Sequence, residues 1–312
     1  MAPPILPPRR RRSAIPTSPE TELHWPVMAS AALESTLSVL VVGPAEELEL
    51  LLPADVPAEV DRAEGPVDAI VQVARKPYQL VLIDHTAEGD VTEEQLGYLR
   101  ALEAIRPSSK TIVLASHTTT RKVIEALRYG IAAYFSRPFD PSAVRDAIAQ
   151  ALSIPNWAGG IELLSAEPDY LSVRLRCSLH TADRLAQFMR ELPCVLADNE
   201  RAELSTAFRE MLLNAIEHGG KLDPDEWVHV SRVRTRRTIV YHILDPGTGF
   251  SRSDLKHAAI SNPPGDPTAH MEIRAAENLR VGGFGMLITS HFVDEVIYNQ
   301  NGNEVILIKH LV

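Results

Sequence analysis

The sequence predicts an α/β protein with two units, a five-stranded parallel sheet covered by helices on both faces and then an α+β sandwich. From residue 37 onward, short β-branched runs alternate with amphipathic stretches, which favours a parallel sheet. The alternation stops at residues 153–160, where Pro155, Gly159 and Gly160 indicate a linker. Beyond the linker, apolar runs come in pairs around two helical stretches, which favours a sheet with segregated helices. A chain of 312 residues is long enough for two such domains.

The first unit is expected at residues 36–152. Residues 1–35 precede it, are rich in proline, arginine, serine and threonine, and have no period, so we expect a disordered tail. The pattern places strands at residues 37–42, 81–83, 111–115 and, as the fifth strand, 131–135. Helices with apolar residues at three-to-four spacing are expected at residues 67–75, 93–105, 119–129 and 141–152.

The second unit is expected at residues 161–312. Its strands are predicted at residues 161–166, 170–177, 226–234, 238–244, 295–299 and 304–310, and its helices at 181–192, 198–218 and 285–292. Asn301 and Gly302 predict a tight hairpin turn between the last two strands. Residues 251–279 are polar, contain prolines and show no clear period, so we expect them to form a lid.

Composition narrows the class of protein. The net charge of -10 argues against DNA binding, which needs dominant clusters of lysine and arginine. Cys177 and Cys194 stand in neither a disulfide pattern nor a zinc pattern. No apolar run approaches the roughly 20 residues that span a bilayer, and no apolar segment follows Arg9–Arg12 as a secretory signal would require. We therefore expect a cytoplasmic protein without a membrane partner.

The helix at residues 198–218 carries the first candidate site residues. Glu210, Asn214 and His218 follow one another at steps of four and are expected to share one face. Hard oxygen ligands suit a Mg-phosphate site, with Asn214 as the metal ligand. Glu210, one turn earlier, could orient or deprotonate a hydroxyl that attacks a phosphate. Taken alone, the helix favours an ordinary capped helix with a solvated polar face over a metal site.

Two glycine-rich turns carry the remaining candidates. Asp245 follows the strand at residues 238–244 and precedes Gly247 and Gly249, so its carboxylate leaves a strand end into a turn of unusual backbone freedom. An aspartate there can accept the exocyclic amine of adenine. Gly283 and Gly285 precede an apolar helix, whose N-terminal amides suit phosphate oxygens. Each glycine pattern alone is weak and fits an ordinary tight turn.

The order of these pieces resembles the GHKL superfamily of ATP-binding domains, which have the Bergerat fold. Its N box looks like residues 210–218, its first glycine box like residues 245–249, and its second like residues 283–285. The resemblance covers residues 161–312 and implies a Mg-ATP site with Glu210 as the catalytic residue. The residues that would bind the cofactor are Asn214, which would also hold Mg, His218, Asp245, Gly247, Gly249, Gly283 and Gly285.

Within that superfamily, the sequence looks most similar to the bacterial anti-sigma factor serine/threonine kinases. This implies phosphorylation of a STAS-type anti-sigma antagonist and binding of a sigma factor, with a homodimer left open. Histidine kinase activity is not expected, because His180 lacks the acidic and basic neighbours of a phosphoacceptor motif. The lid offers Lys256, Arg274 and Arg280 for a γ-phosphate contact without ranking them. A nucleotide-gated binding protein that transfers no phosphate remains the alternative.

Residues 37–152 resemble the flavodoxin-like receiver domain of two-component response regulators. The resemblance places Asp84 at the phosphoacceptor position, Tyr134 at the switch aromatic and Arg137 at the family's lysine. The family's pair of metal-binding acids after the first strand is replaced by Gly43 and Pro44. Too few ligands would then neutralise a phosphoryl group, so we expect a pseudo-receiver that docks or dimerises. Phosphorelay through Asp84 stays open as the less favoured reading.

Overall fold

The computed structural model describes residues 36–43, 46–53, 56–85, 93–154, 160–250, 258–259, 266, 268–276 and 283–311. The helices and strands of its first half are β1 Leu37–Val42, a 3-10 helix Glu46–Leu51, β2 Ala58–Ala63, α1 Pro66–Arg75, β3 Leu80–His85, α2 Glu93–Ile105, β4 Lys110–Ala115, α3 Thr120–Arg128, β5 Ala133–Ser136 and α4 Pro141–Ser153. Those of its second half are β6 Ile161–Glu167, β7 Tyr170–Arg176, α5 Leu179–Glu191, α6 Asp198–Asn214, a π-helical turn Ala215–Gly219, β8 Trp227–Arg234, β9 Thr238–Leu244, α7 Ala269–Ala276, α8 Gly285–Phe292, β10 Glu295–Tyr298 and β11 Glu304–His310. The predicted tail, residues 1–35, and most of the predicted linker lie outside the described residues.

The first half is a parallel sheet with the strand order β2-β1-β3-β4-β5. This is the flavodoxin-like order, and it confirms the predicted fold class of this half. All six residues of β3 and all six of β4 are buried, as expected for central strands that are covered on both faces. The sequence pattern did not locate β2. That strand lies at the sheet edge, and five of its six residues are exposed or half-buried, so it lacks an apolar run.

The second half is an antiparallel sheet with the strand order β10-β11-β9-β8-β7-β6. Buried and half-buried residues alternate along β7, β9 and β11, which is typical of a sheet that packs helices on one face only. Helices α5, α6 and α8 cover the buried side, and α6 packs along α8. The predicted α+β sandwich is thereby confirmed.

The predicted lid is partly corrected by the structure. Residues 269–276 form the helix α7, whereas the sequence showed no clear period there. None of the side chains of α7 whose burial the structure describes is buried, and eight residues are too few for a readable apolar stripe. Most of the remaining lid, including Lys256 and Arg280 and the side chain of Arg274, lies outside the described residues.

Strand β5 ends the first sheet, and α5 of the second half covers its open edge. The side-chain amide of Gln187 accepts a hydrogen bond from the backbone N–H of Tyr134 and donates to the carbonyl of the same residue. The guanidinium of Arg184 donates to the carbonyl oxygen of Ile131 at 2.9 and 3.2 Å. An uncovered edge strand exposes a row of unpaired backbone groups, and side chains of α5 satisfy them here. The two halves are therefore joined by hydrogen bonds between side chains of α5 and backbone groups of the first half.

Two further polar contacts extend this junction. Glu191, the last residue of α5, accepts hydrogen bonds from the backbone N–H and the hydroxyl of Ser136 at 2.9 and 2.6 Å. Gln150 on α4 donates to Asp183 at 3.2 Å. Burial raises the pKa of the Glu191 carboxyl, against the opposing effect of the Ser136 hydrogen bonds.

None of the helices in the described ranges is long and apolar enough to cross a bilayer.

Candidate functional site

Helix α6 ends in a change of helical type beside the candidate residues. Glu210 and Asn214 lie one turn apart on the α-helical part, as predicted. From Ala215 to Gly219 the chain adopts a π-helical turn, so the predicted step of four from Asn214 to His218 no longer follows the 3.6-residue period. Asn214 is half-buried and His218 is exposed. Single π-helical turns are frequent at functional sites because they re-aim a few side chains.

The carboxylate of Glu210 meets the second glycine turn directly. A methyl group on Gly285, the first residue of α8, would lie 2.6 Å from Oε2 of Glu210, so a larger residue there would displace the carboxylate. On its other side, Oε1 of Glu210 lies 4.0 Å from Nη1 of Arg209. The guanidinium of Arg209 is itself held by Asp183 of α5, with nitrogen-to-Oδ1 distances of 2.7 and 2.8 Å. Glu210 therefore lies between the N-terminus of α8 and a fixed cation.

Asp245 occupies a glycine-lined recess after β9. Its Oδ1 accepts a hydrogen bond of 2.8 Å from the backbone N–H of Gly247. A methyl group on Gly219 would lie 2.3 Å from Cγ of Asp245, and one on Gly247 would lie 2.8 Å from its Oδ1. Within the part of the chain that the structure describes, Oδ2 receives no hydrogen bond. The recess thus presents one carboxylate oxygen that is fixed and one that can accept from a ligand.

Burial decides the electrostatics of this recess. Desolvation raises the pKa of the Asp245 carboxyl above its ordinary value of 3.8, and the hydrogen bond from Gly247 opposes that rise. A half-buried carboxylate oxygen without a hydrogen bond has lost part of its hydration. A ligand that donates a hydrogen bond to it is therefore bound with a favourable free energy.

Gly249 packs against the backbone of the β10–β11 hairpin. It adopts a positive φ of 83°, and a methyl group there would lie 1.9 Å from the carbonyl oxygen of Asn301. The next residue, Phe250, donates its backbone N–H to that same oxygen at 3.0 Å. Gly249 therefore allows the Asp245 loop to pack against the β10–β11 hairpin.

The second glycine turn begins α8. Gly283 has a positive φ of 91°, which favours glycine, and its carbonyl oxygen accepts a hydrogen bond from the backbone of Ala259. Gly285 follows as the first residue of the helix. The free N–H groups of a helix N-terminus, together with the helix dipole, are suited to phosphate oxygens.

Sequence reasoning missed Gly219. This residue belongs to the π-helical turn and closes the recess of Asp245 from the helix side. The adjacent pair Gly219–Gly220 directly after a long helix was the available signal, although such a pair is more often a simple helix end.

The described residues contain no cluster of three or more histidine, cysteine, aspartate or glutamate side chains that could hold a metal ion. A Mg ion held by Asn214 would therefore need its other ligands from phosphate oxygens and water, which is how Mg is commonly bound in nucleotide sites. Asn214 fits that requirement because it supplies a neutral oxygen at the end of α6.

The second candidate site, at the carboxyl end of the central strand of the first sheet, is built differently. Asp84 on β3 is only 5% exposed, and a methyl group on Gly43 would lie 2.6 Å from its backbone oxygen. The neighbouring His85 is buried and has a ring nitrogen 2.8 Å from the hydroxyl of Tyr98. Residues 44–45 and the side chains of Glu46 and Glu47, the nearest candidates for metal-binding acids, lie outside the described residues.

The predicted switch positions lie on β5 and just after it. Tyr134 is 1% exposed, and burial raises the pKa of its phenol to about 12. Arg137 is exposed, and its guanidinium lies 5.0 Å from the ring centroid of Phe139. The structure thus places Tyr134 directly at the junction with α5.

Comparison with known proteins places the second half in a family. Residues 175–309 match the histidine kinase-like ATPase domain. The anti-sigma F factor of Anoxybacillus flavithermus is 30% identical over 131 residues, which cover 41% of this chain and 80% of that protein. The chain belongs to this ATPase family. Its ATPase domain contains the recess of Asp245, the Glu210–Gly285 contact and both glycine turns, so ATP binding is the activity that the family assigns to this half.

Solved receiver structures resemble the first half. A CheY-like response regulator receiver domain protein from Methanospirillum hungatei is 19% identical, with a TM-score of 0.33. The match covers 38% of this chain and 95% of the Methanospirillum chain. A response regulator from Thermotoga maritima is 23% identical, with a TM-score of 0.33, and covers 38% of this chain and all of its own. The strand order, rather than these scores, carries the fold assignment.

Proposed function

We propose that this protein is an ATP-dependent serine/threonine kinase of the anti-sigma factor type. Its substrate would be a STAS-type anti-sigma antagonist, its second partner a sigma factor, and its two domains residues 36–152 and 161–312. The observation that carries the proposal is the recess in which Gly219 and Gly247 leave Oδ2 of Asp245 open beside the end of α6. The relationship to an anti-sigma F factor supports the choice of partner class.

Each site residue has a role in this proposal. Asp245 would accept the exocyclic amine of adenine through Oδ2, because Oδ1 is already engaged by Gly247. Asn214 would hold Mg, which supplies charge neutralisation for the phosphates. The N-terminal amides of α8, preceded by Gly283, would bind phosphate oxygens. His218, exposed at the π-helical turn, would lie at the rim of the nucleotide site.

Glu210 would act on the hydroxyl of the substrate serine, by orienting it or accepting its proton. Contacts to both carboxylate oxygens restrict its rotamers, since Gly285 borders one oxygen and Arg209 the other. A catalytic group gains most from such fixed placement, because phosphoryl transfer depends mainly on positioning.

The receiver-like domain would modulate this site through α5. Asp183 of α5 binds Gln150 of the first half with one oxygen and Arg209 with the other, and Arg209 borders Glu210. A displacement of the first half would change how Asp183 holds Arg209. Two hydrogen bonds and one ion pair of 4.0 Å thus connect the first half to Glu210.

The first experiment is transfer of γ-labelled phosphate from Mg-ATP to STAS-type antagonist proteins of the same organism. Label on a partner serine should fall on the order of 100-fold in Asn214→Ala. Asn199→Ala is the matched control, because Asn199 is exposed in the first turn of the same helix. Binding of ATP without label on any antagonist would replace the kinase with a nucleotide-gated binding protein.

The role of Glu210 needs its own variant. Glu210→Ala should retain ATP binding and lose transfer, and Glu203→Ala on the same helix should retain both. Equal transfer rates in the two variants would remove Glu210 from the mechanism.

The proposed coupling is tested by Asp183→Asn in the full chain. The amide weakens the charge-assisted contact to Arg209, so transfer should slow several-fold while ATP affinity is unchanged. Asp146→Asn, at an exposed position of α4, is the control. An unaltered transfer rate in Asp183→Asn would show that this contact does not influence catalysis.

A further inference from the structure

A small cavity lies at the end of the ATPase domain that is remote from the glycine turns. Its volume is about 20 Å³, and it lies between the end of α5, the first turns of α6, and the adjoining ends of β8 and β9. Arg201, which lines it, precedes Asn214 by 13 residues on α6. At 1.5 Å per helical residue, the two are about 20 Å apart along the axis. The cavity is therefore separate from the proposed nucleotide site.

The lining of this cavity is strongly cationic. Three arginines contribute to it, Arg190, Arg201 and Arg232, and the lining includes no carboxylate. Arg232 is only 3% exposed and occupies a core-facing position of β8, in line with Val228 and Val230. A charged residue at a position where the strand pattern calls for an apolar one is informative, because arginine is rarely buried without a partner.

The hydrogen-bond partners of Arg201 and Arg232 are neutral groups, as far as the described residues go. Arg201 donates to the carbonyl oxygen of Cys194 at 3.3 Å. Arg232 pairs in register with Tyr241, whose phenol pKa is raised by burial and held back by that guanidinium. The Nε atoms of Arg201 and Arg232 are both buried and have no hydrogen-bond partner in the described part of the chain. A buried N–H donor without an acceptor is costly, and a buried cation without a counter-charge more so.

The acid that interacts with these arginines, Glu191, also binds the first half of the protein. Glu191 interacts electrostatically with Arg190 and Arg201. Its carboxylate, however, accepts both hydrogen bonds from Ser136 across the domain junction, and it does not line the cavity. A single carboxylate does not neutralise the three arginines that line the cavity.

We propose that this cavity binds a single small inorganic anion of the halide class between Arg201 and Arg232. About 10–15 Å³ suffices for one water molecule, so the cavity has room for a monatomic anion. The two Nε–H groups supply donors, and the hydroxyl of Ser205 in the lining supplies a third. The bound anion stabilises the corner between α5 and α6, next to the contact of Glu191 with the first half.

The test is thermal unfolding of the full chain in sodium gluconate, chloride, bromide or sulfate at constant ionic strength. Chloride and bromide should raise the Tm relative to gluconate by about 2–4 °C once they exceed their Kd several-fold. In Arg232→Met this halide-specific rise should disappear. Arg174→Met, which removes an arginine that stacks on Trp227, is the matched control and should retain it.

Sulfate separates the proposed site from general salt effects. It stabilises folded proteins by exclusion from their surface, so its effect should be the same in the wild type and in Arg232→Met. A halide rise that persists in Arg232→Met, or no difference between chloride and gluconate, would overturn the proposal. A sulfate effect that depends on Arg232 while halides have none would overturn the assignment to the halide class.

A direct binding measurement covers the case in which Arg232→Met does not fold. Chloride-35 NMR lines should broaden in the presence of the wild-type protein, and added bromide should reverse the broadening. Arg201→Met should reduce the broadening several-fold. Equal broadening in the wild type and Arg201→Met would reject the site. None of these readouts depends on kinase activity.

Discussion

The two halves of this protein each place an aspartate at a strand end, and the surroundings of the two carboxylates differ. Asp84 on β3 is 5% exposed, and the glycine next to it, Gly43, packs against its backbone oxygen. Asp245 after β9 is half-buried, and its neighbours Gly219 and Gly247 approach the carboxylate itself. A strand-end aspartate thus becomes a candidate ligand site when the residues that border its carboxylate are glycines, whose lack of a side chain leaves room there.

Among the substitutions that test this difference between Asp84 and Asp245, we expect Gly219→Ala to have the largest effect on stability and ATP binding. In Gly219→Ala the new methyl group would lie 2.3 Å from Cγ of Asp245 and must displace it. We expect a loss of about 1–3 kcal/mol in stability, together with loss of ATP binding, measured by chemical denaturation and calorimetric titration.

Gly97→Ala is the control for that substitution. In the described part of the chain, the added methyl group would have no atom within 4 Å beyond its chain neighbours and the backbone of its own helix. The position is inside α2, so the variant should gain about 0.5–1 kcal/mol. If both glycine variants bound ATP equally well, the recess would not be the nucleotide site.

Asp245→Asn should weaken ATP binding by about ten- to a hundredfold. The N–H of Gly247 would still donate to the side-chain oxygen of the new asparagine. The asparagine NH2 group would then face the adenine amine, and two hydrogen-bond donors would oppose each other. Because burial raises the pKa of Asp245 above 3.8, the wild-type affinity should also decline as pH falls through that raised pKa. The decline should be absent in Asp245→Asn.

The exposed Asp225 supplies the control for calorimetry of Asp245→Asn, since its side chain is 96% accessible. Asp225→Asn should leave the Kd and its pH dependence unchanged. Unchanged affinity in Asp245→Asn would place adenine elsewhere.

Glu191→Gln tests the junction between the halves through its pH dependence. Burial raises the folded pKa of Glu191 above its ordinary value of 4.5, so the folded state binds the proton more tightly than the unfolded state. Between 4.5 and the raised pKa the unfolded state therefore loses its proton first, and this group makes the protein less stable as pH rises.

The glutamine variant carries no such proton. Its stability relative to the wild type should increase as pH rises through that window, measured by denaturation at a series of pH values. A difference in stability that is constant with pH would show that Glu191 is not desolvated at the junction.

Asp84→Asn should have the smallest effect. If the first half is a pseudo-receiver, acetyl phosphate should leave the protein unlabelled, and the variant should bind ATP like the wild type. Label on the wild type that Asp84→Asn abolishes would instead establish phosphorelay chemistry in this half.

The strand and helix positions could be read from the sequence wherever an element had one buried face or two. Strand β1, helix α2, strands β9 and β11 and helix α8 begin and end at the predicted residues. The pattern failed at β2, at the edge of the first sheet, and at α7, because neither element buries enough side chains to produce a period.

The candidate site was predictable in its residues and less so in their tasks. Asp245, Gly247 and the second glycine turn follow from local order along the chain. The task of Gly249 in contacting Asn301 does not, because those two residues are brought together only by the pairing of β9 with β11.

The sequence by itself determined the two fold classes, the family of the second half and the residues proposed to bind ATP. These properties depend on local periodicity and on motifs of a few residues, which leave their mark on neighbouring positions in the chain. Only the tertiary structure decided that Gly219 borders Asp245, that Arg201 and Arg232 share a cavity, and that α5 covers the edge of β5. Such contacts join residues that are far apart in the chain, and their chemistry depends on burial, which no single segment of the sequence specifies.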